Sequence, residues 1–225
     1  MAIDELEQLR ERFVQTLNAD VRSLIRLHER DAGGAGRPGE WLRAIRRSAI
    51  VLIGANLENF VEDLVCKALC HLADHQVKAR RYPEGYKLWR FRHTAQSKSL
   101  STEDAKELAE LALKLYSDVR ELRGDELLLD EVRETFANPT PKNVNWIMSL
   151  LDKSEYVDEL HVAVKGDRTN VASALHELAS RRNSIAHGNA DEDPDLEDVR
   201  RLSTFAQTFS TRIKRDVTAV IERSL

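Results

Sequence analysis

The apolar residues of this chain recur at three- and four-residue intervals over runs much longer than a strand, and only helices turn that spacing into a continuous face. Leu6, Leu9, Phe13, Leu17, Val21, Leu24 and Leu27 mark a first helix from about Ile3 to Arg30. Leu196, Val199, Leu202, Ala206, Phe209, Ile213, Val217 and Val220 mark a closing helix that begins at Asp193-Pro194. Between them, Glu40 to Gln76 reads as a second long helix. Ile50, Ile53, Leu57, Phe60 and Leu64 form its stripe, with Leu42, Ile45, Ala49 and Leu52 on a neighbouring face. So wide an apolar arc belongs to a central helix. The 9 glycines and 5 prolines in 225 residues are too few for the turns of an all-β sandwich. The expected class is all-α, a bundle of long antiparallel helices.

The stretch from Asp31 through Gly33-Gly34-Ala35-Gly36-Arg37-Pro38 to Gly39 is the one clear flexible linker. It divides an N-terminal helix and linker (1–38), packed on the bundle, from the main helical domain (39–225). Residues 77–100 break the periodicity, with a turn signal at Tyr82-Pro83-Glu84-Gly85. Helix resumes at Ser101-Thr102-Glu103-Asp104, where a hydroxyl cap precedes acidic residues. Leu108, Leu111, Leu115, Val119 and Leu122 carry it to Gly124. A short helix covers Glu126–Phe136, and Asn138-Pro139-Thr140-Pro141 forces a turn. Thr140 then caps a helix with Pro141 in its first position. Residues 154–166 fit no single pattern. Asn170 to His187 is the penultimate helix, ended by Gly188.

Charged residues make up 32% of the chain and the formal net charge is -4, so any nucleic-acid surface has to be a local patch. Met1-Ala2-Ile3-Asp4-Glu5 lacks the apolar core of a signal peptide, and charges interrupt every apolar run. A cytoplasmic protein without a membrane span is expected. Cys66 and Cys70 lie four apart in a helical run, which suits reduced thiols better than a disulfide. With His71 and His75 they would have to converge on one ion from one continuous helix, which zinc-ligand geometry resists. Packed thiols beside solvated histidines are expected instead, with no metal and no cofactor.

Two places invite chemistry. In Lys78–His93, the cations Arg80, Arg81, Lys87, Arg90 and Arg92 interleave with Tyr82, Tyr86, Trp89 and Phe91, and Glu84 is the only acid. Cations for phosphates and aromatics for bases are what single-stranded RNA requires. The same composition also suits a connector whose aromatics plug the core while its arginines face water. The second place is Arg182-Asn183-Ser184-Ile185-Ala186-His187-Gly188. Arg182 falls between Leu178 and Ile185 on the apolar stripe, where a cation needs a carboxylate, a phosphate or an interface. Asn183 and His187, four apart, share a face, so the amide can orient the imidazole. Alternatively, Arg182 snorkels at a helix edge and His187 answers the helix dipole.

This heptapeptide resembles the signature of the HEPN superfamily, whose ribonucleases carry Arg-polar-x-x-x-His near a helix end. Leu57-Glu58-Asn59-Phe60-Val61-Glu62-Asp63-Leu64 in the second helix resembles the RiboL-PSP-type HEPN domain. So does Asn138-Pro139 followed by an apolar helix, the signature helix and a long closing helix. The likeness extends over about residues 40–224. It implies a HEPN-like bundle and a metal-independent endoribonuclease, in which the ribose 2′-hydroxyl attacks the adjacent phosphate and leaves a 2′,3′-cyclic phosphate. Arg182 would hold the phosphate, His187 would move the proton and Asn183 would support it. Arg182 and His187 stand roughly 140° apart around one helix, so a homodimer joining two such sets is expected. The family further implies a bacterial defence or toxin-type effector, with an antitoxin or other defence-system partner protein. Many HEPN toxins carry a tyrosine two residues past the histidine, where this chain has Asn189. The competing function is a catalytically inactive helical module for dimerisation or partner docking.

Overall fold

A computed structural model describes residues 2–32, 39–99 and 101–225, so the expected linker at 33–38 lies outside the described residues. Helix α1 (Ala2–Ala32) sends Leu6, Leu9, Phe13, Leu17 and Val21 into the core, where Phe13 meets Phe60 at 4.7 Å between ring centroids. Helix α2 (Gly39–Asp74) is the central element and is touched by the long helices on either side of it. Ile45, Ala49, Ile50, Ile53, Leu57, Phe60, Val61, Leu64, Val65, Cys66 and Leu69 are all buried, which covers most of its circumference. The closing helix α8 (Leu196–Ser224) lies against both α1 and α2. Its N-cap Asp195 accepts from the Asp198 N–H at 2.7 Å, and Asp198 returns the bond, a capping box that satisfies two orphan donors. Helix α1 and the bundle share one apolar cluster.

The intervening segment, residues 77–160, is more helical than its sequence suggests. Helix α3 (Glu84–Gln96) occupies the place of the expected connector. Its first donors are capped from a distance, since the Asp152 carboxylate accepts from Glu84 N–H at 3.0 Å and Gly85 N–H at 2.6 Å. Tyr86 is buried and donates to Leu127 O at 3.1 Å. Helix α4 (Thr102–Leu115) has the expected Ser101 cap but stops well short of Gly124. The Ser117 hydroxyl accepts from Val119 and Arg120 N–H, which turns the chain and leaves Val119 84% exposed. Helices α5 (Leu129–Thr135) and α6 (Pro141–Ser149) follow, the latter capped by Thr140 as its sequence predicts.

The ambiguous stretch resolves into a hairpin of β1 (His161–Val164) and β2 (Asp167–Asn170), paired antiparallel from His161↔Asn170 to Val164↔Asp167. Its turn places Lys165 and Gly166 at φ 53° and 92°, the two positive values that a tight hairpin needs. Val162 and Val164 are buried, with β1 packed on α8. Helix α7 (Val171–Ala186) starts at once, with the Asn170 side chain accepting from Ser173 N–H at 2.8 Å. The fold is therefore helical, with one small hairpin among the described residues. No described helix is long and apolar enough to cross a membrane.

Gly85 gives this arrangement a direct test. A Cβ there would stand 1.8 Å from the Ser149 carbonyl oxygen, a backbone atom that cannot swing away. Gly85→Ala is expected to push α3 off α6 and lower stability by about 1–3 kcal/mol. Urea unfolding reads this, and an unchanged midpoint would show that α3 does not seat there.

Candidate functional site

Arg182 leaves α7 and crosses α2 at Gly54. A Cβ on Gly54 would fall 2.8 Å from the Arg182 Cδ, so the missing side chain is what opens the seat. One turn further along α2, Glu58 Oε2 lies 2.7 Å from the guanidinium. The two side chains are 24% and 18% exposed, so the pair is shielded without being sealed. The neighbouring Arg181 points elsewhere, to Glu177 at 3.0 Å, Glu192 at 2.8 Å and Asp198 at 3.1 Å. Arg201 joins the same network through Glu177 and Asp198. Burial works against the Glu177 carboxylate, yet Arg201 and Arg181 outweigh it and hold its pKa below the ordinary range. Arg181 thus ties α7 to α8, while Arg182 faces α2.

The Asn183 side-chain oxygen accepts from Asn138 Nδ2 at 2.8 Å. Asn138 sits at φ 61° and is followed by the buried Pro139, and Asn143 Nδ2 donates to its carbonyl at 3.0 Å. Here the structure differs from expectation, because Asn183 anchors the turn between α5 and α6 and forms no hydrogen bond with the His187 ring. Its partner Asn138 is 45 residues away in sequence, so local spacing does not reveal it.

His187 is the C-terminal cap of α7 and is exposed. Gly188, at φ 77°, donates to Ile185 O at 3.0 Å, and Asn189 N–H donates to Ser184 O at 3.0 Å. This is a Schellman closure, which satisfies the last carbonyls with backbone donors. The imidazole is not recruited to the cap and has no hydrogen bond or ion pair to another described residue.

The chain leaving α7 is gripped by the start of α2. Arg47 donates to Asn189 O and Glu192 O, each at 2.7 Å, and Arg43 donates to Ala190 O. Arg46 donates to Pro194 O at 2.6 Å, to Asp193 Oδ1 at 2.7 Å and to His28 Nε2 at 3.0 Å. Since Arg182 meets the middle of α2 and the following loop meets its beginning, α7 and α2 run antiparallel. Burial, then the Arg46 guanidinium, lowers the His28 pKa, so that ring is neutral when it accepts.

Residues 78–93 are largely spoken for. Arg80 bonds both Asp118 oxygens, Lys78 pairs with Glu121, and Arg90 donates to Glu126 O and Thr94 Oγ1. Lys87 is only 4% exposed, pairs with Glu84 at 2.9 Å and lies 4.4 Å over the Tyr116 ring, so it cannot meet RNA as expected. Tyr82 and Tyr86 are buried. Arg81 and Arg92 are exposed, and their side chains have no hydrogen bond or ion pair to another described residue. Burial raises the Cys66 thiol to about 12 and also raises Cys70. No cluster of three or more His, Cys, Asp or Glu among the described residues could hold a metal ion.

The helical bundle around α7, with only a small hairpin beside it among the described residues, is the architecture of HEPN domains. The RiboL-PSP-HEPN family model matches residues 15–219, and the chain belongs to that family. No curated protein and no solved structure matches it.

Two measurements test this geometry. Glu58→Ala should cost about 1–2 kcal/mol, a figure reduced from that of a sealed ion pair because water reaches both side chains. In a double-mutant cycle with Arg182→Ala, additive losses would show that the two are not coupled. His28 has a folded pKa below its unfolded value near 6.5, so its contribution is full above that pH and is lost as pH falls through the folded pKa. Arg46, Arg200 and Glu29 are the charges that act on it. The melting temperature should therefore drop on acidification from pH 8 to 5, and more steeply in the parent than in His28→Gln. Equal slopes would remove His28 as the cause.

Proposed function

We propose that this protein is a metal-independent endoribonuclease of HEPN type. The observation that carries the reading is the pairing of a shielded, pre-positioned Arg182 with an unengaged His187 at the end of the same helix. In the reaction, the ribose 2′-oxygen bonds to the adjacent phosphorus and the bond from phosphorus to the 5′-oxygen breaks. A base takes the 2′-hydroxyl proton, and an acid gives one to the leaving 5′-oxygen. Imidazole suits both tasks near neutral pH. Arg182 offsets the charge that develops on the phosphoryl oxygens, and a planar fork held in place by Glu58 needs little reorganisation. Asn183 acts indirectly, by fixing the helix end through Asn138.

One imidazole cannot be acid and base in a single step, and Arg182 and His187 diverge around α7. A two-fold homodimer that joins two helix ends in one cleft supplies both histidines, and isologous pairing is the commonest oligomer geometry. Arg81 and Arg92 are the cations of the basic segment left free for RNA. By family likeness the protein acts in the cytoplasm as a defence or toxin-type effector restrained by a partner protein. The second reading, a silent docking module, draws support from the same ion pair, because Arg182 already has a protein carboxylate beside it in Glu58.

RNA incubated with the protein in EDTA separates the two. Cleavage with 2′,3′-cyclic phosphate ends is expected, and Arg182→Ala and His187→Ala should each slow it by about a hundredfold or more. Both variants should keep parental helicity, and Asn183→Ala should lose less. Cutting by both variants at the parental rate would end the assignment. Light scattering should give a dimer mass at micromolar concentration, and a fully active monomer would exclude the composite site.

A further inference from the structure

A cleft of about 480 Å³ opens between α3 on one side and the end of α5 with α6 on the other. Leu88, Trp89, Arg92 and His93 line its α3 wall, while Thr135 and Trp146 face them from α5 and α6. The rings of Trp89 and His93 are stacked, with centroids 5.3 Å apart and planes 29° from parallel. Leu88 is 43% exposed, and Trp89, His93 and Trp146 are each half-buried, so apolar and aromatic surface remains open to solvent. The side chains of Trp89, Arg92, His93 and Trp146 form no hydrogen bond or ion pair with other described residues. Of the two unengaged cations of the basic segment, Arg81 and Arg92, only Arg92 lines this opening.

We infer that this cleft is a subsite for one unstacked nucleobase of single-stranded RNA. A flat ring of either base class can lie against the Trp89–His93 stack and Trp146, because every base has a π-face. Arg92 is placed for the attached phosphate. Gln96, Thr135 and Ser149 complete the wall with side chains that both donate and accept, which suits the polar edge of a base. The position also suits a strand bound at the signature. Thr135 lies three residues before Asn138, which holds Asn183, and three residues span at most about 10 Å. This subsite rests on the ribonuclease reading for its ligand, and its test is separate from cleavage.

The protein has three tryptophans, and Trp41 sits at the opposite end of α2, bonded to Asp31. In a Trp41→Phe, His187→Ala background, emission reports only Trp89 and Trp146 and the RNA is not cut by the proposed mechanism. A single-stranded oligoribonucleotide should quench that emission to saturation. An abasic strand of the same length should not quench it and should bind at least about tenfold more weakly. Arg92→Gln and Trp146→Leu should each weaken oligoribonucleotide binding by about tenfold. Equal affinity for the two strands, or parental affinity in Arg92→Gln, would overturn the subsite. Arg92 is exposed, so that variant decides the matter even if Trp146→Leu does not fold. Base-dependent quenching without cleavage by the parent protein would keep the cleft and remove the nuclease. Cleavage without base-dependent quenching would do the reverse.

Discussion

A helix apolar around most of its circumference must be covered on nearly every side, and α2 imposes that requirement on this chain. Helix α1 covers one flank, α8 another, and α7 with α5 and α6 the rest. One strip of the helix is polar where most of the rest is apolar. Arg43, Arg47, Gly54, Glu58 and Glu62 fall at spacings of mostly four and seven, which keeps them on one side of the helix. This strip is where α7 docks, and each position has a distinct job. Arg43 and Arg47 grip the loop beyond α7, Gly54 makes room for Arg182, and Glu58 pairs with it. Glu62 takes Arg133 from α5 at 3.1 Å, and burial still raises its carboxyl above the ordinary range. The site is thus an interruption of the core, made by polar residues on the one helix that could least accommodate them elsewhere.

The long helices were legible because their periodicity survives burial. Leu6 to Val21 in α1 and Val199 to Val220 in α8 are buried as their spacing predicts. Local rules failed where a distant residue supplies the deciding bond. Helix α3 reads as a connector because Pro83-Glu84-Gly85 looks like a turn, and its real cap, Asp152, is far away in sequence. Helix α4 reads too long because Val119 and Leu122 keep helical spacing, although Ser117 has already turned the chain. The hairpin at 161–170 is too short to declare a period, and Lys165 gave no sign of a positive φ.

The site divides along the same line. Arg182 and His187 stood out by themselves, Arg182 because a cation on an apolar stripe demands an answer. What the answer was could not be read, since Glu58 and Gly54 carry no local mark of pairing with residue 182. The adjacent arginines make the point sharply. Arg181 and Arg182 have the same chemistry and differ by one step around the helix, about 100°. That step sends one to three carboxylates, with Asp198 on α8, and the other across α2 toward a single carboxylate. The basic segment shows the opposite error. Its composition suited RNA, but Lys87 and the tyrosines went to the core, while Trp89, Arg92 and His93 stayed at the surface and line the cleft beside α6.

The end of α7 explains why His187 is available at all. A helix terminus usually draws nearby polar side chains into its unpaired carbonyls, and a histidine at that position is a natural candidate. Here Gly188 adopts a positive φ, which brings its own N–H and that of Asn189 onto Ile185 and Ser184. Asn189 also bonds the Ser184 hydroxyl at 2.9 Å, and Arg47 holds the Asn189 carbonyl, so the turn is fixed from both sides. Every local demand on the imidazole is thereby met by something else. Asn189 is thus part of the device that closes the helix. Rigid backbone below and an unengaged ring above are the conditions under which a histidine can meet a substrate or a second copy of itself without first breaking a bond.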